Sequence, residues 1–200
     1  MPKSVISLSD VEHAVLTMAT VASENEKYFG DLDGEMGDAD FGKSLAQGFR
    51  AVQNEFDKID HSDIGVLLLK CGMIFAANVG GCSGPIWGTA FMRAGMTAKG
   101  KQTLTLGDVV AMGRNAVEGM RARGGASQGD KTLLDAIIPA IDKIEEFSKT
   151  DSDDVLGAFG RRQKRLPPPS RTHGAGWQSV AVLPMPAKEL SERLTRESSP

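Results

Sequence analysis

The sequence predicts an all-α fold for one globular domain. Apolar residues recur every three or four positions in six successive segments, the spacing that places them on one face of an α-helix. No stretch alternates strictly between apolar and polar residues, and no Asn-Gly or Asp-Gly turn joins two short apolar runs as in a β-hairpin. The chain has 200 residues, of which 40% are hydrophobic, and this is enough to bury a core.

Capping and proline signals indicate where the helices begin. The six predicted helices span residues 10–22, 43–59, 64–79, 86–97, 106–123 and 131–147. The start signals are the capping box of Ser9 and Glu12, the cap of Ser62 and Asp63, Pro85 in a first turn, and the cap Thr105. The third helix is apolar on almost every face and is expected to be buried. Pro139 is expected to kink the sixth helix.

A stretch rich in carboxylates lies between the first two predicted helices. Five acidic residues fall within ten positions: Asp31, Asp33, Glu35, Asp38 and Asp40. A buried carboxylate needs a partner or a cation, and such oxygen-rich groups suit Mg²⁺ together with the phosphates of a substrate. The second predicted helix starts directly afterwards, so its N-terminal amides would point at the same place. This convergence favours a metal–phosphate site.

Two other interpretations of the acidic stretch are a solvated connector and an EF-hand. A run of charge is more often a solvated connector, and the residues alone leave that interpretation open. An EF-hand loop starting at Asp31 needs glycine at its sixth position and glutamate at its twelfth, where this chain has Met36 and Gly42. The EF-hand is therefore excluded.

Two more glycine-rich loops, 80–85 and 124–130, also precede predicted helices. The first would cradle a phosphate with its amides and the hydroxyl of Ser83, although glycines before a helix often make only a tight turn. Neither loop matches G-x-x-x-x-G-K-[ST] and no predicted strand precedes either, so a P-loop is excluded. No histidine is placed to activate Cys82, which is expected to be a small filler residue.

Composition excludes several classes of protein. A net charge of −3 does not indicate the basic surface that nucleic-acid-binding proteins have. No apolar run approaches the ~18 residues that mark a membrane span, and the N-terminal residues do not follow the pattern of a secretory peptide. The two cysteines form neither a metal-ligand spacing nor a disulfide framework. We expect a reduced, cytoplasmic protein.

Three motifs, taken together and in this order, resemble the nucleotide-binding (L) subunit or domain of dihydroxyacetone kinases. They are L-D-x-x-x-G-D-A-D-x-G, G-G-C-S-G-P-I-W-G-T-A-F and G-D-K-T-L-L-D, and the resemblance runs from about Val11 to Phe147. It implies an antiparallel barrel of eight helices with the nucleotide at one rim, of which about six helices are recognisable in this sequence. It also implies a subunit that binds ADP or ATP and takes part in phosphoryl transfer to a small ketose.

The resemblance also assigns site residues. Asp33, Asp38 and Asp40 resemble the aspartates that hold two Mg²⁺ ions on the nucleotide phosphates, as ligands rather than general bases. The residues that resemble nucleotide contacts are Phe41, Gly42, Lys43, Ser44, Cys82, Ser83, Gly124 and Leu133. Phe41 stands where the family usually has histidine, which puts one contact in doubt. No residue of this chain is predicted to be catalytic.

The resemblance implies a partner. In the family a second subunit or domain holds the ketose covalently through a histidine, and this chain has no such histidine in a matching context. Some members use ATP, and others keep ADP bound and are recharged by a phosphotransferase-system protein; a homodimer is also left open. The alternative function is a non-catalytic regulatory or interaction protein that retains the metal loop.

The last part of the chain departs from the family. The sequence predicts a helical nucleotide-binding domain over 1–159 and an anomalous tail over 160–200, basic, proline-rich and disordered or non-native. The family would continue with an alanine-rich helix, G-R-A-S-Y-x-G-E-R and D-P-G, which fold over the nucleotide. Without them we expect weak ADP binding and little kinase activity.

A frameshift would account for the tail. When the third base of each codon is read with the first two of the next between Val180 and Glu197, the genetic code permits Gly-Arg-Ala-Ser-Tyr-Ala-Gly-Glu-Arg. One ambiguous position follows, and then Val-Gly-Ala-Leu-Asp-Pro-Gly. We hypothesise a single-base frameshift near 158–160, in the gene or in its recorded sequence.

Overall fold

The protein is all-α in a computed structural model that describes residues 5–35 and 37–149. Seven α-helices lie within these residues: α1 (Leu8–Glu24), α2 (Glu26–Gly34), α3 (Phe41–Glu55), α4 (Ile64–Asn78), α5 (Ser83–Thr97), α6 (Leu106–Gly124) and α7 (Leu134–Ser148). A 3-10 turn, Phe56–Lys58, follows α3. Two short strands, β1 (Ile6–Ser7) and β2 (Thr103–Leu104), pair antiparallel. The small ladder ties the start of α1 to the start of α6 and does not change the fold class.

From α3 onward, short connections make successive helices run in opposite directions, and neighbours in sequence pack as neighbours in space. One end of the bundle is marked by backbone hydrogen bonds between loops: Leu8 N–H donates to Gln102 O and Ile64 N–H to Lys101 O, both at 3.0 Å. At the other end, the Gln47 side chain donates to Asn78 O at 2.6 Å. The starts of α3, α5 and α7 therefore share this second end, which we call the site end.

Aromatic residues fill the centre of the core. Phe49 packs edge-on against Phe75 and Phe91, with ring centroids 5.4 and 6.0 Å apart. Phe75 is fully buried, and Gly48 lies so close to its ring that an added Cβ would be 2.3 Å from Cε2. The contact between α3 and α4 therefore depends on a glycine facing a phenylalanine.

The helix caps agree with the sequence except in α1. Asp63 and Thr105 cap α4 and α6, and Thr105 forms a capping box with Asp108. The prediction of Ser9 and Glu12 as a capping box is wrong: α1 begins two residues earlier than predicted, and its capping box is Ser7 with Asp10. Both serines are followed three residues later by an acid, and the pairing of Ser7 with β2 selects the first.

The second helix was not expected from the sequence. The sequence predicts no helix between residues 22 and 43, but α2 lies there and contains the first part of the acidic stretch. This helix shows little periodicity because Phe29 is its one fully buried apolar side chain, and Lys27 pairs with Asp31 on its exposed face. Three other boundaries move by three or four residues: α3 ends at Glu55 rather than residue 59, α5 starts at Ser83 rather than 86, and α7 starts at Leu134 rather than 131.

Some predictions fall outside the part of the chain that the structure describes. These are the boundary at 159, the tail over 160–200 and its frameshift. Within the described residues, no helix is both long enough and apolar enough to span a membrane.

Replacing Gly48 by alanine is expected to destabilise the fold. The new Cβ would overlap the ring of Phe75, and overpacking of a core costs about 1–3 kcal/mol. Gly107 is the matched control: it is exposed in the first turn of α6, and its nearest atom would be Thr105 Oγ1 at 3.6 Å. Urea unfolding should show a lower free energy of unfolding for Gly48→Ala and no decrease for Gly107→Ala. Equal stability of the two variants would contradict this account of the core.

The pair formed by His61 and Glu12 is expected to make the stability of the fold depend on pH. His61 Nδ1 lies 2.5 Å from Glu12 Oε1, and its Nε2 lies 3.0 Å from Phe56 O. Because both ring nitrogens face acceptors, the Phe56 carbonyl first and then Glu12 raise the pKa of His61. This stabilisation is complete below the usual histidine pKa of about 6.5 and is lost as pH rises through the raised pKa.

The variant Glu12→Gln tests this pair. It should lower the free energy of unfolding by about 0.5–1 kcal/mol at mildly acid pH, and by progressively less as pH rises. Thermal unfolding between about pH 5.5 and 8.5 measures the difference. Glu55→Gln, which removes an exposed pair with Lys58, is the control. A constant difference across the pH range for Glu12→Gln would refute the assignment.

Candidate metal and phosphate site

Asp33 is the centre of the acidic stretch. It lies in the last turn of α2 and is 4% exposed, the one buried charged residue among those described. Its Oδ2 accepts the Phe41 N–H at 3.1 Å, and its carbonyl accepts the Gly37 N–H at 2.6 Å. A Cβ on Gly37 would lie 2.6 Å from Asp33 Oδ1. The loop between α2 and α3 thus wraps closely around this carboxylate.

Two further carboxylates join Asp33 at the start of α3. Oxygen atoms of Asp33, Asp38 and Asp40 all lie within 4.8 Å of one another, and the last two residues are exposed. Ala39 between them has a φ of 62°, a left-handed turn that brings both side chains to the same side. Oxygens on opposite sides of one Mg²⁺ are about 4.2 Å apart. The spacing of these oxygens is therefore compatible with a metal ion after a small adjustment.

The electrostatics of the group also favour a cation. The pKa of Asp40 is raised, first by burial and then by repulsion from Asp38 and Asp33. A divalent cation would remove this repulsion, because each carboxylate would then face a positive charge. Asp31 is not part of this group of carboxylates, since its side chain pairs with Lys27 at 2.6 Å on the outer face of α2.

The start of α3 is packed against α2. Gly42 is buried, and a Cβ there would lie 2.0 Å from Glu26 O, so no larger residue fits. The ring of Phe41 is buried beside Phe29, with centroids 6.4 Å apart. Lys43 is exposed, and Ser44 is partly buried. Phe41 therefore contributes a buried anchor and an amide that binds Asp33, while Lys43 faces solvent.

The loop before α5 contains the second group of predicted residues. Gly81 has a φ of 63°, and a Cβ on Gly84 would lie 2.0 Å from Val79 O, which forces a tight turn into the helix. Cys82 is exposed and Ser83 partly buried at the N-terminus of α5. The prediction that Cys82 is a small filler residue is therefore wrong. It sits at the helix start because the turn places it outside the core.

The third loop joins α6 to α7 and lies beside α5. A Cβ on Gly124 would lie 3.2 Å from Ile86 Cδ1, and Leu133 packs partly buried against the main core. The sequence missed the residue that shapes this loop. Asp135 accepts the Gly129 N–H at 2.5 Å and the Thr132 N–H at 2.9 Å. The available signal was an aspartate five residues after the Gly129-Asp130 pair, which is weak by itself.

Comparison with known proteins places these features in a family. Residues 35–164 match the DAK2 domain family. The ADP-binding subunit DhaL of the PEP-dependent dihydroxyacetone kinase of Escherichia coli (strain K12) is 34% identical over 144 residues, 72% of this chain and 69% of that subunit. The L-erythrulose 1-kinase of Mycolicibacterium smegmatis is 31% identical over 150 residues, 72% of this chain but 26% of that kinase.

Solved structures show the same fold. The dihydroxyacetone kinase from C. freundii, in complex with AMP-PNP and Mg²⁺, superposes with a TM-score of 0.66 at 23% identity. The superposition covers 92% of this chain and 34% of that chain, so the protein spans about a third of the solved kinase. Together with the match over residues 35–164, these relatives show that the chain belongs to the DAK2 domain family, the family of the L subunits of dihydroxyacetone kinases.

Proposed function

We propose that this chain is the Mg–nucleotide-binding subunit of a dihydroxyacetone-type kinase. The observation that carries the proposal is the group of Asp33, Asp38 and Asp40, gathered at the start of a helix at the site end. Two other helix starts share that end, so amides and small residues surround the same rim. The E. coli relative is named an ADP-binding subunit, and the C. freundii kinase was solved with Mg²⁺ and a nucleotide analogue.

The three aspartates would hold two Mg²⁺ ions and through them the nucleotide phosphates. Bound there, the metal would neutralise charge on the transferred phosphoryl group, which is the main requirement of phosphoryl transfer. Asp33 is oriented for this role by the Phe41 amide. Amides in the first turns of α3 and α5, with the Ser83 hydroxyl, would bind phosphate oxygens. Gly124 and Leu133 would lie beside the nucleoside.

The phosphoryl acceptor would be a small ketose held on a partner subunit. Asp38 and Asp40 are exposed, so a second protein can approach the group from the site end. The phosphoryl donor would be ATP, or a phosphotransferase-system protein that recharges bound ADP; the E. coli relative is named PEP-dependent. A cytoplasmic location and a homodimer stay predictions.

The domain division and the frameshift are also proposals. The chain covers 69% of the E. coli subunit, and the family match ends at residue 164, shortly after the proposed slip. Resequencing the coding DNA tests the slip. We expect one inserted or deleted base near codons 158–160. An intact frame that encodes this tail, with no insertion or deletion relative to close relatives, would exclude the slip.

Removing one metal ligand should weaken nucleotide binding. For Asp38→Asn we expect the Kd of ADP in the presence of Mg²⁺ to rise about tenfold or more, because a charged oxygen ligand is lost. Asp38 is exposed, so the substitution should leave the fold intact. Calorimetric titration with ADP at fixed Mg²⁺ measures the change.

Asp31→Asn is the matched control for Asp38→Asn. It removes the same charge from the same stretch, but from a carboxylate paired with Lys27 outside the group. We expect its ADP affinity to stay within about twofold of the parent chain. Equal loss in both variants would mean that net charge, and not the three-aspartate group, governs binding.

Turnover separates the kinase from the second candidate function, a regulatory protein that keeps the metal loop. Phe41 in place of the family histidine and the anomalous tail favour that second candidate. With the ketose-binding subunit supplied, the frame-corrected chain should phosphorylate dihydroxyacetone, and the chain as written should do so weakly. Mg-dependent ADP binding without turnover in both chains would favour the regulator.

A further inference from the structure

The segment between α6 and α7 has an unusual backbone conformation. Lys131 has a φ of 58° and Gly129 a φ of 101°, both in the left-handed region. Glycine adopts this region freely, but a residue with a long side chain such as lysine does so rarely. Contacts on either side of Lys131 must therefore hold the segment in this shape.

Asp135 provides those contacts. Its Oδ1 accepts the Gly129 N–H at 2.5 Å, and its Oδ2 accepts the Thr132 N–H at 2.9 Å. The two oxygens thus bind amides on both sides of Lys131 and close the segment into a loop. These bonds, from Gly129 first and then Thr132, lower the pKa of Asp135, so the carboxylate is charged at neutral pH. It also lies in the first turn of α7, where negative charge is favourable.

The clamped segment follows the end of α6, which packs against the start of α5. The end of α6 touches the first turns of α5, where Gly124 approaches Ile86 and Arg123 Nε lies 3.4 Å from Thr89 Oγ1. Asp38 and Asp40 immediately precede α3 and Asp33 lies in the last turn of α2. In the order of packing, α5 lies between α3 and α6. Leu133 directly follows the clamped residues and presents a partly buried apolar side chain.

We infer that Asp135 is a positioning residue for the nucleoside end of the site. By fixing residues 129–132, it sets where Leu133 and the end of α6 lie, and so shapes an apolar surface for a base and its ribose. The phosphate end, held by the aspartates, does not depend on it. The inference rests on the proposed function and deepens it, since it assigns the two ends of the ligand to different residues.

Two ligands separate the ends of the site. ADP engages both ends, whereas inorganic tripolyphosphate with Mg²⁺ engages only the metal–phosphate end. For Asp135→Ala we expect the Kd of ADP to rise about tenfold or more, and less for Asp135→Asn, which retains one acceptor oxygen. The Kd of tripolyphosphate should stay within about twofold for both variants. Asp142→Asn, which removes a carboxylate of α7 paired with Arg114, should change neither.

The outcomes are distinct. Equally weaker binding of ADP and tripolyphosphate by the Asp135 variants would mean that Asp135 supports only the general fold. Unchanged ADP binding by these variants would mean that Asp135 does not position the nucleoside. Either result overturns the inference. A parent chain that binds neither ligand overturns the proposed function, and this inference with it. A parent chain that binds both ligands, with variants that lose both equally, overturns the inference alone.

A measurement on the parent chain covers the case in which the variants do not fold. Amide hydrogen exchange at Gly129 and Thr132 should slow when ADP binds and should not change with tripolyphosphate, because only ADP reaches the clamped segment. Slowing by both ligands, or by neither, would contradict the inference.

Discussion

The carboxylates of Asp33, Asp38 and Asp40 repel one another, and the packing of α2 against α3 keeps them together against that repulsion. Asp33 is buried and bound by the amide of Phe41, so it cannot turn away from the other two. The pKa of Asp40 is raised, first by desolvation and then by repulsion from Asp38 and Asp33. A divalent cation is the natural counterpart of such a group, because it satisfies all three carboxylates at once.

Close packing at glycines makes this arrangement possible. Gly42 lets α3 begin against the backbone of α2, and Gly37 lets the loop fold around the Asp33 side chain. The alternating direction of α3 to α7 then brings the other two helix starts to the same end of the bundle. The position of the candidate site thus depends on the order of the helices and on a few small residues. In the third loop, the Asp135 carboxylate holds the backbone by accepting the Gly129 and Thr132 amides.

The all-α class, the caps Asp63 and Thr105 and the acidic group were predictable because each leaves a local signal of spacing or residue type. The helix α2 was not, because it buries one large apolar side chain and so lacks a stripe. The choice of Ser7 over Ser9 depends on β1 pairing with β2, a contact far apart in sequence. The roles of the Phe41 amide and of Asp135 depend on backbone conformation, which the residues alone do not specify.

The most direct test of the central claim is a crystal structure of the chain grown with Mn²⁺, as a replacement for Mg²⁺, and ADP. The anomalous scattering of manganese identifies the position of the metal directly in the electron density. Our account predicts anomalous peaks in contact with the carboxylates of Asp33, Asp38 and Asp40, with the ADP phosphates on the opposite side of the metal. Manganese and ADP bound elsewhere, with these three carboxylates in contact with neither, would contradict it.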